Sequence, residues 1–99
     1  MFVTVSTYQA RPGEEDAIVA LYEGWQYTLQ PKATGYISGE LLRNAANVRE
    51  FLAIMRFERK EFFQELADTP EQRVWTQRLE SLVEIAPVYR VYANEWLSP

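Results

Sequence analysis

Residues 49–57 read R-E-F-L-A-I-M-R-F, and this segment decides the fold. Such a run of apolar and aromatic residues predicts a β-strand, in which successive side chains point to opposite faces. One face carries four apolar residues and the other carries two: Phe51, Ala53, Met55 and Phe57, and Leu52 and Ile54. An antiparallel strand that borders water shows a polar face. We therefore expect helices to cover one face and a second copy of the chain to cover the other.

Three further segments have strand patterns. Residues 34–43 form a predicted strand that pairs with residues 49–57, and residues 44–47 (N-A-A-N) form the turn between them, since Asn tolerates left-handed conformations. Residues 2–9 and 88–96 are rich in β-branched and aromatic residues and predict a first and a fourth strand.

Helical patterns fill the intervals between these strands. The first helix follows Pro12 and Gly13, has acids in its first turn and ends at Pro31. Its apolar residues recur at three- and four-residue spacing: Ile18, Leu21, Tyr22, Trp25 and Leu29. A second helical stretch, residues 58–68, is restarted by a capping Thr69 and by Pro70, with Gln72 as the capping-box partner.

The order β-α-β-β-α-β predicts an α+β, ferredoxin-like fold in one domain, residues 1–99. We expect a four-stranded antiparallel sheet with its helices on one face. We find no internal repeat, linker or low-complexity segment along the chain.

Composition excludes several classes of function. The formal charge of −4 argues against nucleic acid and anionic lipid as partners. No apolar run approaches the roughly 20 residues of a membrane span, and the N-terminus lacks the features of a signal peptide. The chain has no cysteine, which fits a cytoplasmic location.

The chain also has no histidine. This removes the commonest general base, the commonest transition-metal ligand and the usual haem ligand. Glu14, Glu15 and Asp16 are successive residues of a helix and cannot converge on one ion, so we expect no metal site.

Candidate site residues have two possible roles. Tyr22, Trp25 and Trp75 either fill the core or form the wall of an aromatic pocket. Arg56 either forms an ion pair with Glu40 or Glu58, or binds a phenolate or enolate oxygen. Five strand residues could face a cavity: Ser6, Tyr8, Tyr36, Glu40 and Asn94. Without histidine, a general base would be Glu40, a tyrosine or water.

Four motifs, in this order and spacing, resemble the antibiotic biosynthesis monooxygenase family of dimeric α+β barrels. They are R-P-G-E at 11–14, G-Y-I-S at 35–38, R-F-E-R-K-E-F at 56–62 and T-P at 69–70. The resemblance implies a homodimer whose sheets pack face to face. Members of this family include cofactor-independent oxygenases of quinols or anthrone-like polyketides, and haem-degrading enzymes.

The haem-degrading members use an Asn, a Trp and a His, which would fall near Ser6, Leu66 and Thr76. No alignment supplies the histidine, so haem degradation is not expected. Many quinol-oxidising relatives also carry a histidine after the Thr-Pro pair, where this chain has Glu71 and Gln72.

Two hypotheses result. The first is a monooxygenase of a small aromatic or polyketide-like substrate that needs no cofactor, with Arg56, Asn94 and Glu40 as catalytic residues. Its substrate-binding residues would all be aromatic: Tyr8, Tyr22, Trp25, Tyr36 and Trp75. The second is a non-catalytic dimer that binds a small molecule or has a structural role.

Overall fold

The computed structural model describes all 99 residues and has the predicted β-α-β-β-α-β order. The strands are β1 (Phe2–Gln9), β2 (Tyr36–Asn44), β3 (Asn47–Phe57) and β4 (Val88–Ala93). The helices are α1 (Glu15–Thr28), α2 (Lys60–Ala67) and α3 (Pro70–Ser81), with a short 3-10 helix at Gln30–Lys32. The four strands form one antiparallel sheet in the order β2-β3-β1-β4. The predicted ferredoxin-like α+β fold is confirmed.

Several boundaries of β2, β3 and β4 differ from the prediction by one to three residues, because strand pairing sets them. β4 ends at Ala93 instead of residue 96, because Ala93 is already opposite Phe2, the first residue of β1. The turn between β2 and β3 is shorter than predicted, since Asn44 pairs with Asn47. The Asn44 side chain closes this turn by accepting a hydrogen bond of 2.8 Å from the Ala46 N–H.

The helices cover one face of the sheet, and the core lies between them. Phe51, Ala53 and Phe57 of β3 are buried there, as the alternation predicts. Two buried clusters fill this layer: Tyr8, Ala10, Ile18, Phe51, Ala53, Leu79 and Val83 form one, and Trp25, Leu29, Phe57 and Leu66 form the other.

The other face of the sheet carries no helix, and we call it the open face. Its centre is apolar, because Val5 of β1 lies directly opposite Ile54 of β3, and Leu42 of β2 lies opposite Leu52. Leu42 remains 47% exposed. The prediction that β3 is apolar on both faces is therefore confirmed for the chain itself. None of the helices is both long enough and apolar enough to cross a membrane.

The break between α2 and α3 forms as the local sequence predicts. The Thr69 hydroxyl accepts a hydrogen bond of 3.2 Å from the Gln72 N–H, and Pro70 occupies the first turn of α3. The predicted capping box is wrong, however, because the Gln72 side chain does not return to the backbone of Thr69. It bonds instead to Trp25 and Thr76.

Candidate functional site

A half-open cavity of about 540 Å³ lies between the helix-covered face of the sheet and the helices. Eleven of its 18 lining residues are hydrophobic. The sheet contributes Thr4, Ser6, Ala53, Met55, Tyr89 and Val91, and the helices contribute Tyr22, Trp25, Phe63, Leu66, Ala67, Gln72, Arg73, Trp75, Thr76, Gln77, Leu79 and Glu80. This volume and a mainly apolar wall with a few polar groups are typical of a small-molecule site.

Aromatic side chains of α1 and α3 form one wall of this cavity, and their orientation is set by contacts within the protein. Tyr22 and Trp75 meet edge to face, with 5.0 Å between ring centroids and an interplanar angle of 89°. The Trp75 indole N–H donates to the backbone carbonyl of Leu21 at 3.0 Å. The Trp25 indole N–H donates to the side-chain oxygen of Gln72 at 2.9 Å. Both rings are therefore held in place before any ligand binds.

Two tyrosine hydroxyls lie next to this wall and bond to each other. Tyr8, on β1, and Tyr22, on α1, form this pair between the sheet and the helix. Burial, followed by the adjacent Tyr22, raises the pKa of Tyr8 far above its usual value. Burial also raises the pKa of Tyr22. Both hydroxyls therefore stay protonated at neutral pH, and neither can act as a general base there.

Arg73 and Glu80, both exposed on α3, are the charged residues among those that line the cavity. Burial, and then the negative charge of Glu80, raise the pKa of Tyr89 on the sheet. No group of three acidic side chains converges in a way that could hold a metal ion. Glu80 is the only carboxylate among the lining residues.

The structure brings three of the five predicted aromatic residues together at this cavity: Tyr22, Trp25 and Trp75. Tyr8 does not line the cavity, but its hydroxyl bonds to that of Tyr22, which does. Tyr36 packs against Trp25, with 5.2 Å between ring centroids. It lines a second cavity, of about 490 Å³, between β2 and α1.

The three predicted catalytic residues lie elsewhere. Arg56 is opposite Ser38, and Glu40 is opposite Ile54, which places both side chains on the open face. They form the ion pair that the sequence suggested, with 3.5 Å between Arg56 Nη2 and Glu40 Oε1. Asn94 follows the last residue of β4, is exposed and does not line the cavity of about 540 Å³. Glu40 also lines the second cavity together with Tyr22 and Trp25, whereas Arg56 and Asn94 line neither cavity.

Five polar residues of α3 that line the cavity were missed by the sequence analysis, Arg73 and Gln77 among them. Gln72, Thr76 and Glu80 all line the cavity and follow one another at intervals of four residues. Residues four apart lie on the same side of a helix. In the sequence, this polar stripe lies beside the apolar stripe of Trp75 and Leu79. That pattern could have predicted that the three residues line the cavity.

Comparison of the chain with known proteins identifies solved structures that share its fold. No family model matches the chain, and no curated protein matches it. SnoaB, a cofactor-independent oxygenase from Streptomyces nogalater, superimposes with a TM-score of 0.87 over 99% of this chain and 96% of that chain, at 13% identity. The fold is that of the antibiotic biosynthesis monooxygenases.

Two further structures carry that name provisionally. The one from Nitrosomonas europaea has a TM-score of 0.83 at 11% identity, over 97% of this chain and 100% of that chain. The one from Deinococcus radiodurans has a TM-score of 0.82 at 17% identity, over 100% of this chain and 98% of that chain. At such identities the likeness to the antibiotic biosynthesis monooxygenases establishes the fold alone, and at that level it supports the resemblance drawn from the sequence motifs.

Proposed function

We propose that the chain is a monooxygenase that needs no cofactor and acts on a small polycyclic phenol or anthrone. The observation that carries this proposal is the half-open cavity of about 540 Å³ with its wall of fixed aromatic rings. Flat aromatic ligands suit such a wall, since aromatic pairs gain about 0.5–1.5 kcal/mol beyond the burial of their area. The fold shared with a cofactor-independent oxygenase supports the same reaction class.

The reaction would require a proton acceptor and would use the substrate itself as reductant. Glu80 would take a proton from the acidic C–H of an anthrone-like substrate, which leaves a carbanion stabilised as a phenolate. The carbanion would give its electrons to dioxygen, and a C–O bond would form. Loss of water from the resulting hydroperoxide converts the CH₂ group to C=O, so that one dioxygen is consumed and one water is released. Arg73, at the same cavity, would favour the anionic form.

Oxygen uptake with anthrone and 1,4-dihydroxynaphthalene tests this proposal. We expect uptake above the spontaneous rate, and we expect Glu80→Gln to lower kcat by about 10²–10⁴-fold, the usual contribution of a general base. Glu71→Gln is the matched control, because Glu71 is on the same helix but does not line the cavity. Uptake that stays at the spontaneous rate with every substrate would contradict the proposal.

A non-catalytic binding protein is the second candidate. The observation that favours it is that burial raises the pKa of Tyr8 and of Tyr22, so both stay protonated, and that the only carboxylate lining the cavity, Glu80, is exposed. In that case the protein would bind anthrone and return it unchanged. Mass spectrometry of the recovered ligand distinguishes the two candidates, because the oxygenase would yield anthraquinone.

We further propose that two copies of the chain pack through their open faces. Val5, Leu42, Leu52 and Ile54 make the centre of that face apolar, and the burial of such a surface favours association. Light scattering should therefore report twice the mass of the chain. The cytoplasmic location expected from the sequence stays a prediction.

One substitution on each side of the protein tests this dimer. Ile54→Lys places a charge at the centre of the open face, where an unpaired buried charge is costly, and should yield monomers. Val74→Lys is the matched control, because Val74 is 58% exposed on α3, on the helical side of the sheet. A dimer that survives Ile54→Lys would place the interface elsewhere.

A further inference from the structure

Thr76 stands at the end of a chain of hydrogen bonds that begins at Trp25. An indole N–H can only donate, and that of Trp25 donates to Gln72 Oε1 at 2.9 Å. This bond settles which end of the Gln72 amide faces α1. The amide nitrogen must then face the other way, and it donates to Thr76 Oγ1 at 3.2 Å.

The Thr76 hydroxyl therefore accepts a hydrogen bond and keeps its own proton to donate. A threonine inside a helix often gives this proton to the carbonyl four residues earlier. Thr28 does so in α1, where its hydroxyl donates to Gly24 at 2.7 Å. Thr76 makes no bond of that kind, nor any bond to Glu80 one turn later. The protein therefore leaves the donor of the Thr76 hydroxyl unused.

The position of Thr76 would allow its hydroxyl to contact a bound ligand. The residue is half-buried and lines the cavity, between Gln72 and Glu80 on the polar stripe of α3. A donor on this polar stripe, beside the apolar wall, can favour a ligand that carries an acceptor over one that lacks it, because an unpaired polar group is costly once water is displaced.

We infer that Thr76 determines specificity by donating a hydrogen bond to a carbonyl or phenolate oxygen of the bound aromatic ligand. Trp25 and Gln72 are then positioning residues, which act by orienting the Thr76 hydroxyl. The inference rests on the proposed function for the aromatic nature of the ligand, and it adds the group on the ligand that the protein recognises.

Two ligands that differ in one carbonyl group test the inference. 1-Tetralone and tetralin share the same two rings, and equilibrium dialysis measures the affinity of each. The informative quantity is the affinity for 1-tetralone divided by the affinity for tetralin, compared between wild type and variants. Thr76→Val keeps the shape of the side chain and removes the donor, so this ratio should fall by about five- to tenfold. Thr76→Ser, which keeps the hydroxyl, should retain the wild-type ratio.

A change at Gln72 separates orientation from mere packing. In Gln72→Glu the carboxylate can still accept from Trp25, but it cannot donate to Thr76. The Thr76 hydroxyl would turn to donate to the carboxylate, and the ratio should fall as in Thr76→Val although Thr76 is intact. Thr28→Val, which removes a threonine hydroxyl from the surface of α1, should leave the ratio unchanged.

The possible results separate this inference from the function on which it rests. If wild type binds both ligands and Thr76→Val changes both affinities equally, the Thr76 donor plays no part in recognition and the inference is overturned. The same holds if Thr76→Ser loses the preference. If wild type binds neither ligand, the aromatic site itself is refuted, and the inference fails with it.

Discussion

Gly35 is a position where one added methyl group should be costly, and the reason lies in two separate features of the structure. Its φ of +75° falls in the left-handed region, which costs a residue with a Cβ about 1–2 kcal/mol. A Cβ at this position would also lie 2.6 Å from Phe62 Cγ and 2.9 Å from Phe62 Cβ. Crowding of a packed site of this kind costs about 1–3 kcal/mol. Gly35→Ala should therefore destabilise the protein by about 2–5 kcal/mol.

Urea unfolding measures this effect, and the chain offers a matched control. Gly13 has a φ of +85°, but nothing lies within 4 Å of a Cβ built there. Gly13→Ala should cost only the backbone contribution of about 1–2 kcal/mol. For a small domain, urea lowers the free energy of unfolding by about 1–3 kcal/mol per molar. The midpoint of Gly35→Ala should therefore fall by roughly 1 to 3 M, and that of Gly13→Ala by less.

A double substitution isolates the contact with Phe62. In a Phe62→Ala background the ring is gone and only the contact of 2.9 Å with Phe62 Cβ remains, so Gly35→Ala should cost less than it does in wild type and approach the cost of Gly13→Ala. Equal midpoints for Gly35→Ala and Gly13→Ala in the wild-type background would refute the packing of Phe62 on Gly35. That packing matters for the site, because Phe62 also contacts the cluster around Trp25 and Leu66, two residues that line the cavity.

Three further predictions concern the site and its support. The pKa values of Tyr8 and Tyr22 are higher in the folded protein than in the unfolded chain. As the pH rises, the unfolded chain therefore loses these protons before the folded protein does. The stability of the folded protein should be at its full value below about pH 10 and fall above it. Urea midpoints at pH 8 and pH 11 should show a smaller loss for Tyr8→Phe/Tyr22→Phe than for wild type, and an equal loss would contradict the pairing. Trp25→Phe leaves the Gln72 side-chain oxygen without its donor and should lower the free energy of unfolding by about 1–3 kcal/mol, whereas a midpoint like that of wild type would speak against the bond. Thr69→Ala removes the cap of α3 and should cost about 1 kcal/mol, with Thr69→Ser close to wild type; similar loss in both variants would show that the hydroxyl is not the cap.

Local patterns were enough to predict the fold. The alternation of residues 49–57 indicated two apolar faces, and burial of Phe51, Ala53 and Phe57 confirms which of them the helices cover. Thr69 and Pro70 predicted the break between α2 and α3, because capping depends on residues a few positions apart. Strand ends were predicted less well, since the end of β4 depends on where β1 begins, more than 80 residues away.

The site depends on contacts between distant residues, and the sequence analysis recovered it only in part. Gln72 was interpreted as a local capping residue, but its partner Trp25 lies 47 positions away and no local pattern joins them. Arg56 is a different case. It is two residues beyond Ile54, so strand alternation alone places it on the open face and away from Met55, which lines the cavity.

The crystal structure of the protein with anthraquinone bound is the most direct test of the claim that the cavity beneath α3 is the aromatic site. We predict that the rings lie in this cavity against Trp25 and Met55, and that one carbonyl oxygen is about 2.7–3.0 Å from Thr76 Oγ1. Ligand density on the open face beside Arg56, or in the second cavity beside Tyr36, would contradict it.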